Sequence, residues 1–150
     1  MTLDSLIVGT IATESDLSAL VKTFSGDQTQ TFIKAFRGTI PTTYYDPVLK
    51  TQVAWTDKLM LPAMTYQQIG VPRTRRSVYT MVHYQISVWH ISLGQARTLG
   101  IIFDALFNGM YGNSSDVALI SVTKTNEQDY ISELSGRYAC ILDYNINIRG

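Results

Sequence analysis

Between Val78 and Asn108 the chain switches once from one hydrophobic period to another, and this switch constrains the fold more than any other stretch. Val78, Thr80, Val82, Tyr84, Ile86 and Val88 are apolar apart from Thr80, and Tyr79, Met81, His83, Gln85, Ser87 and Trp89 alternate between them. Side chains that change face at every residue define a strand. From Ser92 onward the apolar residues fall at Leu93, Ala96, Leu99, Gly100, Phe103, Leu106 and Phe107, a three-and-four spacing that lines one stripe of a helix. Ser92 supplies an N-cap hydroxyl, and Gln95 stands where its side chain can reach back to the Ser92 amide. Gly109 offers the left-handed stop.

The flanking sequence supports this unit. Leu3, Leu6, Ile7, Ile11, Leu17, Leu20 and Val21 recur at helical spacing, and Gly9 and the Thr13 to Asp16 stretch break it, so one or two helices are expected over residues 3–23. Ser25, Gly26 and Asp27 close that region. Residues 29–57 carry the weakest pattern: Phe32 to Phe36 fits a short strand, while Pro41, Pro47 and the run from Thr42 to Asp46 read as loop. Residues 59–68 alternate and end at Gly70 and Pro72; Pro62 lacks a ladder donor, so this strand lies at an edge or starts after the proline. Arg73, Thr74, Arg75 and Arg76 form a short basic connection, making a hairpin with the long strand.

Past the helix, Gly109, Gly112, Asn113 and Ser114 read as a turn, residues 117–122 as a strand and residues 124–136 as a polar, hairpin-like excursion. Tyr138, Cys140, Leu142, Tyr144, Ile146 and Ile148 then alternate with Asp143, Asn145, Asn147 and Arg149 in a last strand. Short connections favour antiparallel pairing, and one apolar face per strand matches helices on one side. The expected architecture is α+β: one domain over residues 1–150, a mostly antiparallel mixed sheet with two helices packed on one face.

Composition narrows the function. A chain of 150 residues can bury roughly 70% of its unfolded surface in its own core. Twelve Lys plus Arg balance twelve Asp plus Glu, which argues against a dedicated nucleic-acid binder needing a basic face. Charged residues make up 16% of the chain, against about 25% in an ordinary soluble domain, and so neutral a surface points to partial cover by other protein. Cys140 stands alone in an apolar alternation, reads as core, and admits neither an internal disulfide nor a cysteine zinc cluster. No stretch approaches the roughly 18 apolar residues of a membrane span, and the N-terminus lacks a signal-peptide pattern.

Catalytic constellations are weak. His83 and His90 lie on opposite strand faces with no carboxylate or cysteine at metal-ligand spacing, and read as surface or interface residues. Ser87, His83 and Asp104 could be drawn as a triad, but no strained nucleophile elbow precedes a helix. Gly94 and Gly100 are too isolated for a phosphate loop and suit close helix–strand packing. Arg73, Arg75 and Arg76 concentrate charge, as a solvated loop or as a docking element for an acidic partner or nucleic acid. On the odd face of the long strand, Tyr79, Met81 and Trp89 interleave with His83, Gln85 and Ser87. That face either awaits a partner or is covered by residues 29–57, which hold Tyr44, Tyr45 and Trp55. Interface candidates are thus Arg73, Arg75, Arg76, Tyr79, Met81 and Trp89; no catalytic residue, cofactor or metal ligand is expected.

The stretch from Leu61 through Pro62, Ala63, Met64, Thr65 and Tyr66 to Gly70, then Tyr84 to Trp89, then Gln95 to Leu99 and Ala105-Leu106, resembles the tail-terminator or tail-completion proteins of long-tailed bacteriophages. In that family a proline-containing strand leads to a long strand ending in a Ser-Val-Trp or Asp-Val-Trp type sequence, and a short turn enters a helix. The resemblance covers residues 59–109, with the leading helix and last strand fitting in order; residues 25–57 and 110–136 match nothing in it. It implies a non-enzymatic virion protein: a hexameric ring that ends the tail tube and joins it to the head connector. Its partners would be tail-tube and head-completion proteins, with DNA in the lumen, in a particle assembled in the host cytoplasm. The alternatives are a tail-tube or other neck protein, and a small-molecule-binding α+β domain using Tyr44, Tyr45, Trp55, Trp89 and Tyr111.

Overall fold

The strand and helix form where the two periods place them, and a sheet assembles around them. The computed structural model describes residues 3–24, 27–75, 79–110, 112–113, 118–132 and 136–149. Helix α1 (Leu3–Thr13) and a 3-10 helix (Ser15–Leu20) are followed by strands β1 (Val21–Phe24), β2 (Asp27–Ile33), β3 (Ala35–Arg37), β4 (Thr43–Asp46) and β5 (Thr51–Ala54). A one-turn helix α2 (Asp57–Met60) leads to β6 (Ala63–Arg75), β7 (Tyr79–His90) and helix α3 (Leu93–Phe107). Strands β8 (Gly112–Asn113), β9 (Ala118–Ser132) and β10 (Arg137–Arg149) complete the order.

Six strands pair in the order β3-β6-β7-β10-β9-β8, and β1–β2 and β4–β5 form separate ribbons. Within the large sheet only β3–β6 is parallel. The register sets Cys140 against Val88, Leu142 against Ile86, Tyr144 against Tyr84 and Ile146 against Val82, so the even residues of β7 and β10 share one face. That face packs with Ile7 and Ile11 of α1, Leu17 and Leu20 of the 3-10 helix, and Ala96, Leu99, Phe103 and Phe107 of α3. The expected α+β arrangement, with two helices on one face, is the one observed.

Aromatic packing fixes α3: the Phe103 and Phe107 rings stack at 5.0 Å, and Tyr144 meets Phe107 edge-on at 5.0 Å. Burying each phenylalanine completely stabilises the fold by about 1.5–3 kcal/mol. Gly100 lets the helix reach the sheet, because a Cβ there would lie 2.7 Å from Cys140 Sγ. Gly94 differs: a Cβ there meets nothing within 4 Å, so close packing accounts for Gly100 alone. Ser92 Oγ accepts from the Gln95 amide at 3.3 Å, and Gln95 Oε1 accepts from the Ser92 hydroxyl rather than from its amide. Gly109 terminates the helix at φ +83°.

Several boundaries depart from the sequence reading. Val21 to Thr23 belong to β1, since the 3-10 helix stops at Leu20. Ser25, Gly26, Arg76, Val78, Tyr111, Ser114 and Val117 lie outside the described residues. Strand β6 starts after Pro62, one of the two expected outcomes, but runs through Gly70 (φ +73°) and an irregular register to Arg75. Arg73 and Arg75 are therefore strand residues rather than a connection. Thr43 to Asp46 form a strand by pairing with β5, among the described residues the partner of β4, and a ribbon that short carries no readable alternation. Gly112 and Asn113 pair with β9 instead of turning. The polar excursion is the second half of β9, where Glu127 faces Leu142 and Asp129 faces Cys140 across the ladder. A strand whose inward side meets a charged helix flank shows no apolar alternation, and a bulge at Thr125 shifts its phase further.

Candidate functional site

The face of the sheet opposite the helices carries the odd residues of β7 and β10, arranged by register into rows that cross four strands. In one row, Gln67 donates to Gln85 (3.2 Å), Gln85 to Asp143 (3.1 Å) and Asn126 to Asp143 (3.4 Å). In another, Ala63, Trp89, Ala139 and Tyr130 follow one another. Trp89 Nε1 donates to Thr65 Oγ1 at 2.9 Å, and its ring meets Tyr130 edge-on at 5.8 Å. Between the rows lies an open cavity of about 270 Å³ lined by Thr65, Gln85, Ser87, Trp89, Tyr130 and Ile141 among others.

One end of this face is covered from within the chain. Met60, Leu61, Ala63 and Ala139 are buried outside the helix-side core. Arg137 Nε and Nη2 donate to the two Asp57 oxygens at 2.8 and 2.7 Å, tying α2 to β10. Phe36 is the partner of Thr65 across β3–β6 and carries a ring cluster onto the same edge: Phe36 against Trp55, Phe32 against Phe36 and Tyr44, and Tyr44 against Trp55. Met60 and Leu61 are thus buried at that end and the ring cluster of residues 32–55 stands on the adjoining edge, while the Gln67 to Asp143 row and the cavity stay open.

Four of the six candidate residues converge. Arg73 pairs with Met81 and Arg75 with Tyr79 across the β6–β7 ladder, so the backbone register brings these four positions together at the hairpin end. Trp89 lies eight residues further along β7, about 26 Å away at strand rise, and Arg76 is not described. The sequence reading missed Tyr130, Ile141, Gln67 and Asn126; the odd-face alternation of β10 already pointed at Asp143, but β9 carried no pattern to align with it. The aromatic residues considered as a pocket separate, because Tyr44 and Trp55 join Phe32 and Phe36 while Trp89 pairs with Tyr130.

The titratable groups serve structure. Ser87 and His83 stand on the outer face, whereas Asp104 on α3 accepts from Tyr144 at 2.8 Å and from Lys124 at 3.1 Å on the helix side, so the sheet separates the three. Burial and the Asp104 carboxylate raise the Tyr144 hydroxyl far above its ordinary range. Tyr84 donates to Asp4 at 2.9 Å, and burial with that bond pushes it up to about 12. Burial, reinforced by Glu127, pushes the Cys140 thiol up to about 11, which leaves little reactive thiolate at neutral pH. Lys34, buried near Lys22, falls to about 8. Burial, then Lys34, lowers His90. Among the described residues no cluster of three metal-ligating side chains forms, and no helix is long and apolar enough to cross a membrane.

Compared with solved structures, the chain shares its fold with a chain in the "Virion of native gene transfer agent (GTA) particle", with a TM-score of 0.67 and 12% identity, covering 99% of this chain and 95% of that one. No protein-family model and no curated protein matches the sequence.

Proposed function

We propose that this chain is a structural virion protein of a phage-like particle, the subunit of a hexameric ring that ends the tail tube and joins it to the head connector. The observation that carries this reading is the end-to-end fold likeness to a chain of a gene transfer agent virion. The tail-terminator resemblance of residues 59–109 supplies the finer assignment. Tail-tube and head-completion proteins would be its partners, and the hairpin end with Arg73 and Arg75 would be its approach to DNA in the lumen. It would act without catalysis or cofactor, in the virion, after assembly in the host cytoplasm.

The same likeness is compatible with a tail-tube or head-completion protein. The ring is favoured by chain order, because α1 opens the chain and packs into the core, whereas a tube subunit is expected as a β-sandwich with one helix. Native mass spectrometry and negative-stain imaging, with and without tail-tube protein, separate these readings. Hexameric rings, alone or on tube ends, are expected. Long tubes would reassign the chain to the tube, and monomers under every condition would overturn the assembly reading.

A further inference from the structure

We propose that the β4–β5 hairpin of one copy seats its tip in the outer-face cavity of a second copy, with Leu49 against the Trp89, Tyr130 and Ile141 wall and Lys50 reaching Asp143. The inference rests on the ring reading and names the contact that would build the ring.

The tip is shaped to present apolar side chains. Strands β4 and β5 pair only with each other, and Trp55 N donates to Thr42 O at 2.8 Å to close the base. A two-stranded ribbon is marginal by itself, and Phe32, Phe36, Tyr44 and Trp55 hold this one down. At its end Asp46 Oδ1 accepts from the Val48 and Leu49 amides at 2.8 and 3.1 Å, and Lys50 takes φ +55°. An aspartate bonding its own turn in this way pre-organises the backbone. The turn nonetheless leaves Leu49 65%, Tyr45 53% and Val48 44% exposed. A rigid turn with its apolar residues outward loses little conformational entropy on docking.

The cavity has the complementary character. Much of its polar lining is bonded within the chain: Trp89 Nε1 donates to Thr65, Gln67 to Gln85, and Gln85 to Asp143; Ser87 and Tyr130 complete it. No charged side chain lines it. Trp89, Tyr130 and Ile141 give this space an apolar wall that suits an apolar side chain. Beside it, Asp143 accepts from two amides, and among the described residues neither Asp143 nor Lys50 belongs to an ion pair. In the single chain the knob is exposed and the hole open, so one copy leaves both unfilled. A contact between two different patches is heterologous, and its repetition closes a ring or runs as a filament.

Sedimentation and native mass spectrometry on wild type, Leu49→Asp and Ser87→Trp test this. Each variant, folded by circular dichroism, is expected to weaken self-association about tenfold or more, as loss of a central anchor does. Mixed, they should form a dimer and stop there, because Leu49→Asp keeps its cavity and Ser87→Trp keeps its tip. Should Ser87→Trp not fold, the charge pair replaces it: Lys50→Glu should weaken assembly at low salt, and adding Asp143→Lys in the same chain should restore it. Rings that persist unchanged in Leu49→Asp would overturn this contact and leave the ring reading standing. Wild-type protein that stays monomeric with and without tube protein would overturn both.

Discussion

Replacing Gly100 with alanine sets two opposed effects against each other, and the structure decides between them. In an exposed helix interior, glycine to alanine stabilises by about 1 kcal/mol through backbone entropy. Here the added Cβ would stand 2.7 Å from Cys140 Sγ and 3.3 Å from Cys140 Cβ. The sulfur could turn away only by leaving Glu127 Oε1, which it approaches at 3.7 Å, and the Cβ sits on the rigid strand. Overpacking of this kind costs about 1–3 kcal/mol, so a net loss of about 1 kcal/mol is expected for Gly100→Ala. Cys140→Ala should lose about 1 kcal/mol through lost packing. The double variant should recover much of both losses, because the new methyl occupies the space the sulfur vacates. A coupling energy of about 1–2 kcal/mol in a double-mutant cycle is the signature. Urea denaturation followed by circular dichroism, at one fixed protomer concentration, measures it. A Gly100→Ala protein stabilised by the full propensity gain, or additive variants, would refute the close approach of α3 to β10.

Alkaline stability should show opposing contributions. Lys34, at about 8 in the folded state against 10.5 ordinarily, makes the unfolded chain bind more protons, so stability rises with pH across that window. Cys140 and Tyr84, raised to about 11 and 12, and Tyr144, raised further, do the reverse: their stabilisation is complete below their ordinary values of 9.0 and 10.0 and is lost as pH climbs through the shifted ones. Urea midpoints should therefore fall steeply above about pH 10, and Tyr144→Phe should flatten the slope by up to about 1.4 kcal/mol per pH unit; an unchanged slope would count against the burial of the Tyr144 hydroxyl beside Asp104. Ser92→Ala removes the N-cap acceptor of α3 and should cost about 1 kcal/mol, whereas Ser92→Asp should cost much less; equal losses in the two would show that the cap contributes nothing.

The parts of the fold that could be read from sequence are those where one face is dry and the other is not. In β7 and β10 every second residue enters the same core, so the alternation of Val82, Tyr84, Ile86 and Val88 survives intact. β9 obscured itself for the opposite reason. Lys124, Glu127 and Asp129 face the helix side, yet they meet Asp104, Cys140 and Arg97 at the perimeter of α3, where polar groups are required rather than excluded. The β4–β5 hairpin was hidden because one ring, Tyr44, and the adjoining Trp55 anchor a ribbon four residues long on each side. At the candidate site, Trp89 and Met81 were visible as residues out of place on a polar face. The ring partner of Trp89 and the amide partner of Asp143 were not, since Tyr130 and Asn126 reach that face only through a register that the Thr125 bulge resets.

The low charge content takes on a spatial meaning once the ion pairs are located. Arg97 holds Asp129, Lys124 holds Asp104 and Glu127, Arg37 holds Asp4, and Arg137 holds Asp57, so much of the charge is spent clamping helices to the sheet. What remains across the middle of the outer face is largely amide: Gln67, Gln85, Asn126, Gln128, Asn145 and Asn147 stand there by register with Asp143 among them. Dehydrating an ion costs several kcal/mol unless it is well paired, whereas an amide already bonded to its neighbour keeps that bond when water leaves. The bonded part of this face, Gln67 to Gln85 to Asp143 with Asn126, keeps its internal hydrogen bonds when another surface covers it, and it can stand exposed to water before that without collapsing. Those two requirements conflict for an apolar face and for an ionic one.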